Sequence, residues 1–167
     1  MDRPTLRAGD LVLRPATPAD ADAVTAACQD PEIPRWTTVP SPYARADAEW
    51  FIDFCADEAA AGRAIHLLAV DGAGTLVGTV GLTGLGRDRA EVGYWVAAEA
   101  RGRGVAPRAV ELLLEWARRE LGVTRVELRA HPANAASLRV AAKAGFTATG
   151  ESRRAPDGAR MIVLRRD

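Results

Sequence analysis

The strongest periodic pattern in the chain is helical and lies in its second half. Val110, Leu113 and Ala117 recur at intervals of three and four residues, with charged residues between them. This spacing predicts a helix over 105–121. Helices are also predicted over 17–28, 44–61 and 134–144.

The predicted helix over 44–61 has Trp50, Phe51 and Phe54 as its apolar side. The segment before it, 31–42, contains four prolines. Proline lacks an amide hydrogen and fixes its own φ, so a run of prolines opposes a continuous helix. We expect a rigid, irregular loop there.

Short alternating or continuous apolar runs predict strands elsewhere in the chain. Three of them, 65–70, 76–82 and 91–96, are joined by short turns rich in glycine and are expected to form an antiparallel meander. The other strands are predicted over 11–14, 125–130, 146–150 and 160–164. No linker, repeat or low-complexity segment interrupts this order. Residues 1–167 are therefore interpreted as a single domain of the α/β (mixed α+β) class.

The composition is that of an ordinary globular domain. Hydrophobic residues make up 48% of the 167 residues and charged residues 26%, which excludes a mainly disordered or collagen-like chain. Basic and acidic residues number 22 each, so no net charge attracts the chain to nucleic acid or to an acidic membrane. Five arginines between 153 and 166 are expected to form a solvated or dimer-forming face. A monomer and a homodimer are both compatible with this pattern.

Three features predict a cytoplasmic protein without a metal. Cys28 and Cys55 show neither CxxC nor metal-ligand spacing. Residues 1–4 lack the basic and then apolar order of a signal peptide. The longest uncharged stretch, 72–86, contains six glycines and is shorter than the ~20 apolar residues of a membrane helix.

A glycine-containing loop between the strand over 91–96 and the helix over 105–121 carries the first chemical signal. The first turn of a helix has unpaired N–H groups and a partial positive charge. Glycines at 102 and 104 allow an anion to approach those groups closely. Arg101, Arg103 and Arg108 add positive charge without an intervening acid. We expect this loop to bind a pyrophosphate.

Two kinds of cofactor fit such a loop. Gly102-x-Gly104-x-x-Pro107 is an incomplete dinucleotide fingerprint, because proline replaces the third glycine. Glu127, the candidate for a ribose-binding acid, lies in the middle of a strand. Arg101-x-x-Gly104-x-Ala106 instead resembles the acyl-CoA pyrophosphate loop of the GNAT (Gcn5-related) N-acetyltransferase family.

The resemblance extends along most of the chain. The segment 90–96 looks like the fourth strand of that family, and 134–138 with 143–146 looks like its next cofactor helix. Ser137, Lys143 and Gly145-Phe146, with the loop Asp30-Pro31-Glu32, are most similar to the RimJ/RimL-type ribosomal-protein alanine acetyltransferase branch. The resemblance implies a single GNAT domain, with a mostly antiparallel central sheet whose central strands splay apart between flanking helices.

The resemblance also implies a reaction and a cofactor site. Acetyl-CoA would be the co-substrate, and its acetyl group would pass directly to a primary amine in a ternary complex. The amine would belong to a protein N-terminus or to a small molecule. A non-catalytic acyl-CoA-binding module is the alternative, and a dinucleotide-binding domain is a further one. Cofactor contacts are expected at Val96, Arg101, Gly102, Arg103, Gly104, Val105, Ala106, Asn134 and Ser137.

The implied chemistry leaves several assignments open. Glu91 is the candidate general base, although it could instead pair with an arginine at the strand edge. His131 is a weaker candidate base, since His-Pro before a helix is also typical of loop packing. Ser137 would contact the cofactor, donate a proton to the departing thiolate or only support the start of its helix. Many family members have a tyrosine seven residues after the helix asparagine, where this chain has Ala141.

Acceptor recognition is expected at two segments, 31–46 and 151–160. Trp36 and Trp95 are the candidate acceptor-binding side chains, although core packing would also account for each of them. His66 is interpreted as a core or strand-face residue.

Overall fold

The computed structural model describes residues 3–167. Met1 and Asp2, with which the predicted domain and the N-terminal segment 1–4 begin, lie outside that range. The strands are β1 (Leu6–Ala8), β2 (Leu11–Arg14), β3 (Ile65–Val70), β4 (Leu76–Thr83), β5 (Arg89–Val96), β6 (Arg125–Ala130), β7 (Thr147–Arg154) and β8 (Arg160–Arg166). The α-helices are α1 (Ala21–Ala27), α2 (Glu32–Trp36), α3 (Arg45–Ala60), α4 (Val105–Glu120) and α5 (Ala135–Lys143).

All eight strands belong to one sheet, in the order β1-β2-β3-β4-β5-β6-β8-β7. The predicted meander of β3, β4 and β5 is confirmed, and the pair β5–β6, which α4 connects, is parallel. This pair is in register only as far as Val92 and Leu128, although β5 continues to Val96. The two strands therefore diverge in the middle of the sheet. The mixed, mostly antiparallel fold with splayed central strands is confirmed.

Helix α4 packs on one face of the sheet, and the side that it buries is the apolar side predicted from its periodicity. Val110, Leu113 and Ala117 are fully buried and belong to a core cluster with residues of β3, β4, β5 and β6. The sequence pattern succeeded here because polar and apolar residues occupy opposite sides of this helix.

Helix α3 packs on the other face, but with a different side from the one expected. Its buried residues are Ala48, Ile52, Cys55 and Ala59, whereas Trp50 remains 64% exposed and stacks on Phe54. The expected apolar side was therefore wrong at Trp50. The small side chains of alanine and cysteine allow the helix to approach the sheet closely. The positions of the large aromatic residues therefore do not identify the buried side of this helix.

Three other local predictions need correction. The segment 31–42 is not wholly irregular, because α2 forms within it. Pro34 lies in the first turn of this helix, where its missing N–H costs little. The Asp30 carboxylate accepts a hydrogen bond from the Glu32 amide at the start of the helix. The hairpin of β1 and β2 adds a strand that was not predicted. β7 is longer than predicted, because β8 provides a backbone partner for its polar residues.

The difference between the two helices predicts contrasting effects on stability. Leu113→Ala should lower the free energy of unfolding by about 2–5 kcal/mol, because a fully buried side chain is replaced by a cavity. Trp50→Ala should change it by about 0.5 kcal/mol or less, as expected for an exposed position. Urea denaturation measures both values. Equal losses would contradict the observed burial of α3.

Within residues 3–167, none of the helices has the length and apolar character needed to cross a bilayer.

Candidate active site

The divergence of β5 and β6 opens a cleft with a volume of about 810 Å³. Residues 101, 102 and 104–107 form one wall together with α5, and α2 with Phe51 of α3 forms the other. The cleft therefore reaches both faces of the sheet at the point where the two strands separate. Two ligands could enter from opposite sides and meet between the strands.

The loop before α4 presents backbone amides to this cleft. Gly102 and Gly104 have φ values of +75° and +71°, which favour glycine. Among the described residues, the amides of 102–106 have no hydrogen-bond partner, and the first turn of α4 contains no acidic residue. Unpaired amides at a helix N-terminus form an anion-binding site. The unpaired amides and the two left-handed glycines are compatible with the predicted phosphate cradle, which stays a prediction.

The three arginines of this segment differ in their contacts. Arg108 pairs with Asp10 at 2.6 Å, so its charge is already compensated. The side chain of Arg101 pairs with Asp30 at 2.5 Å and donates a hydrogen bond to the Val96 carbonyl at 3.1 Å. Arg103 is exposed, and the described residues offer it no ion pair. Among these three arginines, Arg103 is therefore the one without an ion-pair partner within residues 3–167.

The backbone at Val96 faces the gap between the strands. The amide of Ala97 donates to Val77 on the β4 side. Successive amides of an extended strand point to opposite edges, so the amide of Val96 points to the edge from which β6 has diverged. Its carbonyl lies on the same edge, where it accepts the hydrogen bond from Arg101. Val96 can therefore bind an extended ligand through its backbone.

Glu91 lines the cleft and forms an ion pair with Arg129 at 2.8 Å. The two side chains are 32% and 33% exposed. Partial burial raises the pKa of Glu91, Arg129 opposes this increase, and Glu127 on the neighbouring strand contributes to it. The arginine partner considered in the sequence analysis therefore exists. Despite this ion pair, the pKa of the carboxyl group still lies above its ordinary value.

Asn134 and Ser137 lie at the start of α5. The Asn134 side chain accepts a hydrogen bond from the Ser137 amide at 3.1 Å and so caps the helix. The Ser137 hydroxyl is 2.9 Å from the Tyr94 hydroxyl. Burial raises the pKa of Tyr94. Tyr94 is not among the site residues predicted from the sequence, although its alternation with Val92 and Val96 along β5 places it on the face that α4 and α5 cover.

The other end of the cleft is aromatic. The ring centroids of Trp36 and His131 are 5.7 Å apart, so α2 contacts the segment that follows β6. Trp95 lines the cleft but is buried against the N-terminal helices. His66 lies on the cleft floor, where a Cβ atom at Gly81 would collide with its ring, and burial lowers its pKa.

No group of three His, Cys, Asp or Glu side chains within residues 3–167 is arranged to hold a metal ion. Both cysteines are buried, and burial raises the thiol pKa of Cys28 to about 11 and that of Cys55 to about 12. Such thiols are poor nucleophiles at neutral pH.

Comparisons with known proteins agree with this geometry. The model of the Acetyltransferase (GNAT) domain family matches residues 10–147. The chain is 37% identical over 82 residues to the probable N-acetyltransferase YjcK of Bacillus subtilis (strain 168), a match that covers 47% of this chain and 45% of YjcK. It is 26% identical over 149 residues to the uncharacterized N-acetyltransferase p20 of Bacillus licheniformis, covering 87% of this chain and 84% of p20. The match to YjcK thus spans less than half of that relative.

Solved structures show the same fold. RimJ of Mycobacterium smegmatis, in complex with CoA-disulfide, superposes with a TM-score of 0.84 at 24% identity, covering 97% of this chain and 85% of that one. The family model covers most of the chain, including β5, the cradle before α4 and the whole of α5. The chain therefore belongs to the GNAT acetyltransferase family, and it has the fold of the RimJ/RimL-type members.

Proposed function

We propose that this protein is an acetyl-CoA-dependent N-acetyltransferase that transfers the acetyl group directly to a primary amine in a ternary complex. The observation that carries the proposal is the cleft itself, in which an amide cradle for a pyrophosphate and a carboxylate of raised pKa lie on either side of the same strand divergence. Residues 1–167 would form one domain, and its buried, unpaired thiols suit the reducing cytoplasm.

The cofactor-binding residues of this proposal follow from their contacts. The amides of 102–106 would hold the pyrophosphate of acetyl-CoA, with Arg103 adding charge. The gap-facing backbone of Val96 would pair with the pantetheine arm, and its amide would polarise the thioester carbonyl. Asn134 and Ser137 would contact the cofactor from the start of α5. Arg101, tied to Asp30 and Val96, would hold the loop in place rather than bind phosphate directly.

Glu91 would act as the general base. An α-amine has a pKa of ~7.7–8.0, close to neutral pH. A carboxylate with a raised pKa can therefore remove the proton of the amine, directly or through a water molecule. The amine nitrogen forms a bond to the acetyl carbon and loses a proton to Glu91. The bond from that carbon to sulfur breaks, and the sulfur leaves as a thiolate that takes up a proton.

The acceptor would enter from the aromatic end of the cleft, past Trp36 and above the floor that includes Trp95. A protein N-terminal amine and a small-molecule amine both fit this arrangement. Gly93 leaves open space beside Glu91, because a Cβ atom there would have no neighbour within 4 Å. An acceptor amine could therefore approach the carboxylate across the strand.

The second candidate is an acyl-CoA-binding module that does not catalyse transfer. The ion pair between Glu91 and Arg129 favours it, because it reduces the basicity of the carboxylate. The absence of a side-chain acid at Ala141, which is buried, also favours it.

Two measurements on the full chain distinguish these functions. Calorimetry with acetyl-CoA and, in parallel, with NAD tests the cofactor class; binding of NAD alone would contradict the proposal. Release of free thiol is then followed with peptides differing in their N-terminal residue and with small amines, against a control without acceptor. Turnover that depends on an amine supports the enzyme. Acetyl-CoA binding without turnover of any amine supports the binding module.

A further inference from the structure

The hydrogen bond between Tyr94 and Ser137 joins the two sides of the opened sheet. Tyr94 belongs to β5, and Ser137 belongs to the first turn of α5, which follows β6 along the chain. Their hydroxyl oxygens are 2.9 Å apart, and both residues line the cleft. Two hydroxyl groups are therefore paired beside the gap into which Val96 directs its backbone.

Either hydroxyl group can donate the hydrogen bond between Ser137 and Tyr94, so the Ser137 proton is free when Tyr94 is the donor. The Ser137 amide is already used, because it donates to the Asn134 side chain. Within residues 3–167, the Ser137 hydroxyl has Tyr94 as its one side-chain partner. A hydroxyl group can accept one hydrogen bond while donating another. If Tyr94 donates to Ser137, Ser137 can donate to a third atom in the cleft.

We propose that Tyr94 is a positioning residue that supports proton donation from Ser137 to the sulfur of the departing thiolate. The inference rests on the proposed acetyltransferase function and goes beyond it by assigning Tyr94 a role in this proton transfer. The Ser137 hydroxyl gives its proton to the sulfur as the bond from carbon to sulfur breaks. Tyr94 gives its own proton to the Ser137 oxygen in the same step. The phenolate then recovers a proton from solvent, while the proton lost by the amine leaves through Glu91.

The physical chemistry of the two hydroxyl groups explains why they act better together. A phenol has a reference pKa of ~10, and although burial raises the pKa of Tyr94 above this value, the phenol remains a much stronger acid than the alcohol of serine. Serine alone would become a poorly stabilised alkoxide, whereas the relay leaves the charge on a phenolate. Burial of Tyr94 keeps the phenol protonated at neutral pH, so the donor form is present before the reaction begins.

Substitutions at both ends of the hydrogen bond test the proposal. With the best acceptor from the panel, Tyr94→Phe should lower kcat by about 10-fold to 100-fold, while the KM for acetyl-CoA changes by about 2-fold or less. Ser137→Ala should have a similar effect, and the double variant should be no slower than the slower single variant. Ser137→Thr keeps a hydroxyl group and should restore most of the activity. Thr124→Val removes an exposed hydroxyl group that lies outside the cleft lining; it is the control and should be unchanged.

The pH profile separates proton donation from a structural role. In the parent protein, kcat should fall at high pH, where the tyrosine loses its proton, and Tyr94→Phe should remove that decrease. A purely structural role would lower the melting temperature and raise KM but leave the alkaline limb in place. If Tyr94→Phe does not fold, Ser137→Ala and Ser137→Thr test the same hydrogen bond from α5.

The failure of this inference is distinguishable from failure of the proposed function. In one outcome the parent protein turns over amines, but Tyr94→Phe keeps the parental kcat, or the kcat losses of Tyr94→Phe and Ser137→Ala multiply in the double variant. This outcome overturns the relay and leaves the acetyltransferase function intact. A parent protein that turns over no amine overturns both.

Discussion

Glu91→Gln is expected to lower kcat for acetyl transfer by about 10²-fold to 10⁴-fold, the contribution typical of a positioned general base. Glutamine keeps the shape of the side chain but accepts no proton at neutral pH. Acetyl-CoA affinity, measured by calorimetry, should be nearly unchanged, because Glu91 does not belong to the amide cradle. Steady-state thiol release with the best acceptor measures the loss in kcat.

Glu127→Gln is the matched control for this substitution. Glu127 lies directly opposite Glu91 on β6, but it pairs with Arg165 at 3.1 Å and is not part of the cleft lining. The control removes the same charge from the same region and should retain the plateau value of kcat. An equal loss in both variants would show that the charge of the sheet, and not a base at Glu91, controls the rate.

The pH dependence of kcat/KM follows from the pKa of Glu91. A general base works only when unprotonated, so activity should rise with pH through the pKa of Glu91, which lies above its ordinary value. Arg129 lowers this pKa and Glu127 raises it. Arg129→Gln should therefore move the acid limb to higher pH, and Glu127→Gln should move it to lower pH. Shifts in the same direction would exclude Glu91 as the titrating group.

The fold was predictable where local pattern and tertiary packing agree. Helix α4 separates its polar and apolar residues cleanly, and the meander consists of apolar strands joined by short turns. α3 was misjudged at Trp50, because small residues form its buried side and aromatic residues do not mark that side. Helix α2 was not predicted, because prolines oppose a continuous helix, although Pro34 lies in a first turn that tolerates it.

The candidate site likewise combines features that the sequence predicts with features that it does not. The cradle at Gly102 and Gly104 depends on backbone conformation, which a glycine pattern encodes locally. The contacts of Tyr94 with Ser137 and of Arg108 with Asp10 join residues 43 and 98 positions apart. Such contacts exist only after the sheet has formed and opened. The sequence could therefore locate the cofactor loop, but it could not show that Arg108 is neutralised or that a second hydroxyl group accompanies Ser137.

The cradle leads to a second large effect, expected at Gly104. Gly104→Ala should weaken acetyl-CoA binding by about tenfold or more, which corresponds to about 1.4 kcal/mol or more. A Cβ atom at Gly104 would meet no other atom of the chain within 4 Å. It would instead occupy open space beside the amides that are proposed to hold the pyrophosphate. Calorimetric titration with acetyl-CoA measures the change in affinity.

Backbone strain has to be separated from this direct effect, and Gly122 makes that separation feasible. Gly104 and Gly122 flank opposite ends of α4, with φ values of +71° and +68°, and neither site crowds an added Cβ atom. Alanine in this left-handed region should cost about 1–2 kcal/mol of stability at either position. Gly122 is not part of the cleft lining, so Gly122→Ala should share the lower stability but keep the parental affinity for acetyl-CoA. If both variants lose affinity equally, strain in α4 accounts for the effect, and the amides of 102–106 do not bind the pyrophosphate.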